Sequence, residues 1–369
     1  MPEYLAPGVY IEEVTFGAHS IEGVSTSSAG FIGAADAPRL LSGITSFKDF
    51  ERQAASGSSV YLSSGVRGFF DNGGQRCSVA LVAATDRVET ALEALSAEPV
   101  SILCCPDENV FSNAANVMAE HCERRKDRFC ILQSPQPTVP VSTHQPPVRS
   151  SYAAYYHPWL IVPTADRAST LAVPPGGHVA GVYARTDIQK GVWKAPAGAR
   201  IERVTALSEN ITSSDVGVLV DRGIDVLKNE PIRGIVVWAA RTTSSDQDWK
   251  FVNIRRFLIF LEHSIDRGLQ WVIFEPNGVA LWEIVRRAID TFLLGLWKSG
   301  ALVGQTADEA YFVRCDRTTM TQDDIDNGRL IAVVGIAPVR PAEFVILRIT
   351  CLLQCPSGTT AGSRSNGPP

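Results

Sequence analysis

Four stretches of this chain have residue types and spacings that invite a chemical reading. Pro174-Pro175-Gly176-Gly177-His178 has the glycines of a phosphate-cradling loop. No Lys-Ser or Lys-Thr follows at the spacing such a loop needs, and G-x-G-x-x-G is absent. The stretch therefore reads as a structural turn into a capped helix, with His178 a hydrogen-bonded loop residue rather than a ligand. DNGGQRC, from Asp71 to Cys77, sets a cysteine beside a glycine turn as a nucleophile would stand. No partner histidine follows at a recognisable position, and Asn72-Gly73-Gly74 is by itself sufficient reason for a turn. Asp316, Asp323, Asp324 and Asp326 suggest a metal, yet CDRTTMTQDDIDNGRL lacks the ligand order and closing Glu of a calcium loop. Thr321 three residues before Asp324 reads instead as a helix start, where acidic side chains meet the positive helix end. The fourth is a set of cations, Arg255-Arg256 and Arg286-Arg287, readable either as a solvated or salt-bridged helix face or as an electrostatic docking surface.

The eight cysteines form no C-x-x-C pair, and no histidine sits at zinc spacing from them. Several lie in apolar, strand-like runs such as VSILCCP and RFCIL, as buried reduced thiols do. Cys351 and Cys355 are expected to be the exposed ones. No catalytic, cofactor-binding or metal-ligating residue is assigned, and the chain is not expected to be an enzyme or to need a cofactor.

The elements that would position these residues fall into two regions. At 369 residues the chain is long enough for two domains. Its 45% hydrophobic and 20% charged content is that of a soluble globular protein. A formal net charge of −5 argues against general nucleic-acid binding, which needs surplus Lys and Arg. The start, MPEYLAPGVYIEEV, lacks the basic and apolar regions of a signal peptide, and no apolar run reaches the ~18 to 20 residues of a membrane span. Cytoplasmic synthesis and folding are expected, without membrane insertion.

Residues 25–245 alternate apolar strands (AGFIGAA, CSVALVAA, VSILCCP, RFCILQS, WLIVPT) with helical stretches (SFKDFERQAA, NVFSNAANVMAEHCERRKD), the pattern of an α/β domain with a largely parallel sheet. Gln133–Arg149 reads as a Pro-rich loop, and Pro174–Asp187 as a glycine-rich connection. From about residue 246 the pattern becomes α+β. Asn253–Asp266 places Ile254, Leu258, Leu261 and Ile265 on one helical face. An apolar strand is expected to end at Glu275-Pro276-Asn277. The helix Val279–Ser299 then carries apolar stripes (Leu281, Val285, Ala288, Phe292, Leu296 and Trp282, Ile289, Leu293, Trp297) and a polar one (Glu283, Arg287, Asp290, Lys298). Strands AYFVRC and LIAVVGIAP follow.

Both ends read as extended arms. In the first, residues 1–24, Val9, Ile11 and Glu13 alternate with Tyr10, Glu12 and Val14, so Tyr4–Val14 must add to a sheet, its own or a neighbour's. In the last, residues 344–369, the run Phe344, Val345, Ile346, Leu347 and Ile349 is almost wholly apolar, ahead of a low-complexity tail.

YLAPGVYIEEV, SIEGVSTSSAGFIG, GFFDNGGQRC, SSYAAYYHPWLIV, VPPGGHVAGVYARTDIQKGVWKAPAG, GIVVWAARTTSSDQDWKFVNIRRF, FEPN, FVRCD-TTMT-DDIDNGRL and APV-PAEFV occur in this order. Together they resemble the tail sheath proteins of contractile injection systems: myophage tails, R-type pyocins and phage-tail-like extracellular injection particles. The likeness runs from Tyr4 to Ile349, with a tail that passes the family's usual ending. It implies a two-domain sheath subunit, with an α/β outer domain (25–245), an inner C-terminal α+β domain (246–343) facing a tube, and terminal strands exchanged with neighbouring subunits. It implies hexameric rings stacked around an inner tube protein, with baseplate and terminal cap proteins as further partners. Contraction then drives the tube through a target envelope without nucleotide hydrolysis. Assembly in the bacterial cytoplasm, in a tail or tail-like particle open to release outside the cell, is part of the same implication. By position, the Val279–Ser299 helix is the candidate tube contact, through Arg286, Arg287 and Lys298. A baseplate-proximal sheath paralogue and an α/β enzyme with an unrecognised site are the competing readings.

Overall fold

The structure, a computed structural model, describes residues 20–54, 57–83, 87–136, 139–164 and 168–343. Both expected arms, Tyr4–Val14 and Phe344–Ile349, lie outside the described residues, as do Cys351 and Cys355.

The apolar runs become the middle of one sheet. β1 (Ala29–Ala34) is followed by β2 (Arg39–Ile44), α1 (Phe47–Ala54), α2 (Val60–Asp71), β3 (Cys77–Val82) and α3 (Val88–Ala94). Then come β4 (Ile102–Cys104), α4 (Ala114–Arg125), β5 (Phe129–Gln133) and β6 (Ala153–His157). β3, β4, β5 and β6 are buried at every position, because a parallel sheet covered by helices on both faces has no solvent side. β7 (Leu160–Pro163), β8 (Thr170–Val173), α5 (Gly176–Lys190), β9 (Ala206–Leu207), α6 (Ser213–Asp221), β10 (Ile224–Glu230) and β11 (Gly234–Val237) complete the region. The eight-stranded sheet has the order β11-β10-β6-β5-β4-β1-β3-β2. The inner six strands pair in parallel, and β2 and β11 close the two edges antiparallel. β8, β7 and β9 form a separate antiparallel sheet.

The glycine-rich Pro174–Asp187 stretch is not a connection. It is most of α5, a helix buried at ten of its fifteen positions. Its glycines are packing devices. A Cβ on Gly177 would stand 2.3 Å from the carbonyl oxygen of Gly65 in α2, and one on Gly181 would stand 2.4 Å from that of Phe69. Two helices therefore touch backbone to backbone, a proximity that no side chain permits.

The later region has its own core. α7 (Val252–Gly268), α8 (Val279–Lys298), α9 (Ala307–Ala310), β12 (Tyr311–Arg314), α10 (Gln322–Asp326) and β13 (Val333–Ile336) follow in order. The strand expected before Glu275 is absent. Gln270–Val272 is a 3-10 turn, and Phe274 lies at φ 74°, fully exposed. A four-residue apolar run does not by itself distinguish strand from turn. The α8 stripes are as expected: Leu281, Trp282, Val285, Ala288, Ile289, Leu293 and Leu296 are buried. α7 serves both cores, sending Val252 and Ile259 into the first and Phe257, Phe260 and Leu261 into the second.

Candidate interaction surfaces

The residues that invited chemistry are absorbed by the fold. Cys77 is fully buried at the start of β3, and burial pushes its thiol far above the ordinary range, away from the thiolate a nucleophile needs. The other described cysteines are likewise buried and free. At the head of α5, the Gly176 amide donates to the chain's own Gln133 Oε1 at 3.2 Å, which fills the place a phosphate oxygen would take. His178 is not a loop residue. It is buried in the first turn of α5 against Gly68, its Nδ1 without a partner, and burial lowers its pKa to about 4. The aspartates are turn and cap groups. Thr321 and Asp324 form a reciprocal capping box at α10. Asp316 accepts from Thr318 at 2.7 and 2.6 Å, Asp323 pairs with Arg329 at 2.7 Å, and Asp326 accepts from Gln322. Among the described residues no three His, Cys, Asp or Glu are placed to hold a metal.

Arg255 and Arg256 are not a surface. The helical face assumed to be polar is covered by α5 and by the segment before β6. Arg256 is 4% exposed and grips Asp187, itself 2% exposed, through Nη1 at 2.9 Å and Nη2 at 2.6 Å, while Nη2 also donates to the Thr26 carbonyl. Arg255 lies over the Trp249 ring at 3.6 Å and donates to Ser151. Charge alone carried the expectation of exposure, and no local pattern announces a partner sixty-nine positions away.

α8 keeps its polar stripe, with cations on it, at the surface. Arg287 is 78% exposed and only 3.9 Å from Glu283, whereas Arg286 is half-buried and held by Glu283 at 2.8 Å. Lys298 is exposed at the far end. Of the three candidates, Arg287 and Lys298 are thus the ones available to a partner.

The second surface is a sheet with room at its sides. Among the described residues β12 and β13 pair only with each other, Tyr311 opposite Ile336 through Arg314 opposite Val333. Tyr311, Val313, Val334 and Ile336 face the core, while Phe312 and Val333 lie on the exposed face, Phe312 across Gly335. A two-stranded ribbon is marginal alone. Each strand also offers an outer edge of backbone donors and acceptors to a further strand.

The region of the eight-stranded sheet holds a buried histidine pair. His157 is 1% exposed, its ring 4.7 Å from that of His144, with Glu209 no nearer than 3.8 Å. Burial, then His144, lowers its pKa to about 4. The folded value lies below the ordinary 6.5, so the unfolded chain binds the extra proton first and stability falls as pH drops from about 6.5 toward 4. The buried carboxyls Asp187 and Asp225, raised by burial, act in the opposite sense. The comparison with His157→Gln isolates the histidine. The substituted chain is expected to lose less stability than the native one between pH 7 and pH 5 in urea unfolding.

Residues 82–243 match the family model described as phage tail sheath protein central domain, and residues 244–351 match the phage tail sheath C-terminal domain. The chain is similar to one in the cryo-EM structure of the anti-feeding prophage helical sheath in the contracted state, at 35% identity and TM-score 0.78, over 94% of this chain and 99% of that one. A chain of the anti-feeding prophage baseplate is 34% identical, with TM-score 0.77, over 95% and 100%. The tail sheath protein of Enterobacteria phage T4 is 27% identical over 179 residues, 47% of this chain and 26% of that protein. The chain thus matches about a quarter of the length of that curated relative.

Proposed function

Because the chain belongs to the phage tail sheath family, we propose that it is the structural subunit of a contractile sheath that polymerises around an inner tube and contracts to drive the tube through a target envelope. The observation that carries this reading is likeness over nearly the whole chain, at 35% identity, to a subunit of a contracted helical sheath. Neither an enzymatic step nor a cofactor enters it. The energy of contraction lies in repacking subunit surfaces between two lattice states. Residues 25–245 form the outer domain and 246–343 the inner, tube-facing one. Tyr4–Val14 and Phe344–Ile349 are strands given to neighbouring subunits, and the open edges of β12 and β13 suit them. Baseplate and cap proteins bound the polymer, which assembles in the bacterial cytoplasm. No helix among the described residues is long and apolar enough to cross a membrane. Nearly equal likeness to the baseplate and helical-sheath chains gives a baseplate-proximal paralogue no preference.

The tube contact is the exposed stripe of α8. Contraction must break it, and many weak exposed ion pairs, each about 0.2 to 1 kcal/mol, suit a contact that has to release. Replacing Arg287 and Lys298 by Glu is expected to reduce co-sedimentation of tube with sheath several-fold at low salt while sheath polymerisation survives. Undiminished tube binding by the doubly reversed subunit would place the contact elsewhere.

A further inference from the structure

Beside the last described residues lies a groove of about 450 Å³ that nothing in the described chain fills. Val216, Gly217 and Val220 of α6 line it together with Trp238, Phe251 and Pro341. The lining is mostly apolar, and Trp238 is 38% exposed. A Cβ on Gly217 would meet nothing within 4 Å, so the groove is open over that position. The chain enters the groove under restraint. Arg241 holds the Glu343 carboxylate with both Nε and Nη2, at 2.8 and 2.7 Å, and Lys250 adds a contact at 3.2 Å. Arg241 is itself fixed, its Nη1 donating to the Val220 carbonyl and its backbone amide to Asp225. The next residues in the sequence are Phe344, Val345, Ile346 and Leu347.

We propose that residues 344–349 occupy this groove of their own subunit while the subunit is unpolymerised, and leave it when the segment is given to a neighbour. An apolar groove and an apolar segment meet at a clamped carboxylate. A segment tethered directly at the clamp has an effective concentration of about millimolar or more, which a second copy in dilute solution does not match. Seating there removes apolar surface of both groove and segment from water and keeps an unpaired apolar strand from pairing with other chains before assembly. The inference rests on the reading of Phe344–Ile349 as an exchanged strand. It is tested on subunits before polymerisation, so that its failure is separable from failure of the sheath reading, which electron microscopy of polymer decides.

Gly217→Cys is combined with Ile346→Cys in a chain also carrying Cys351→Ser and Cys355→Ser; the six remaining cysteines are buried. Isotopically heavy and light subunits are mixed and mildly oxidised, and the cross-linked peptides are identified by mass spectrometry. Bonds within heavy or within light chains are expected, at a yield several-fold above a control pairing Gly217→Cys with Ser365→Cys. Mixed heavy–light bonds would assign the groove to a second copy, and a yield no higher than the control would leave the segment outside it; either overturns the proposal. A measurement free of the introduced thiols compares native chain with chain ending at Glu343. Amides of α6 are expected to exchange several-fold faster in the shortened chain, and equal exchange would count against the proposal.

Discussion

Arg256→Ala is expected to destabilise the subunit by about 3 to 5 kcal/mol, the cost of breaking a buried ion pair from one side. Asp187 would remain 2% exposed with neither the two guanidinium contacts nor an alternative cation. The substitution also releases the Thr26 carbonyl, and so the segment that leads into β1. Since α5 belongs to the first core and α7 to both, the pair ties the two cores together. Total stability in domains is only about 5 to 15 kcal/mol, so much of the variant should be unfolded or insoluble at 37 °C. Urea unfolding of unpolymerised subunit measures the loss. Arg256→Met together with Asp187→Leu should cost much less, because no charge is left buried alone. A single substitution as mild as the double one would mean that the pair contributes nothing to the union of the cores.

Removing Met1–Val14 is expected to abolish polymerisation while leaving the melting temperature of the subunit within a few degrees of native. On the proposed exchange this arm would add to a neighbour's sheet, so its loss would spare the subunit's own core. Removing Phe344–Ile349 is expected to abolish polymerisation too, and in addition to make the free subunit aggregate. The groove beside Glu343 then lacks its proposed cover and leaves its apolar lining to other chains. Sedimentation and electron microscopy of each shortened chain give the result. Full-length sheaths formed by chain lacking residues 1–14 would show that the first arm is not a linker.

Much of this fold is legible in the residues. AGFIGA, CSVALV and FCILQ are apolar at nearly every position and alternate with helical stretches, which is what strands covered on both faces require. The stripes of α8 and the Thr321–Asp324 capping box follow from helical period and cap chemistry. What stays hidden depends on partners distant in sequence. α5 reads as a connection because Gly176, Gly177 and Gly181 oppose helix formation locally, and only the backbone of α2 gives them a purpose. VYLSSGVRGFFD, which is α2, hides its period behind the same small residues. Arg255 and Arg256 look like surface because charge is usually solvated, and Asp187, Trp249 and Tyr152 reverse that. Of the proposed contacts, Arg287 and Lys298 on α8 were visible in the helical pattern. The groove that ends at Glu343 was not, since it is assembled from α6, Trp238, Phe251 and the chain's last described residues.

The proposed sheath subunit has to polymerise with copies of itself. Negative-stain electron microscopy of the expressed, purified chain, alone and with its cognate tube protein, tests it most directly. Ring stacks or long tubes of uniform width are predicted, longer and more regular when tube is present. A compact monomer that forms no polymer in either condition would contradict the account.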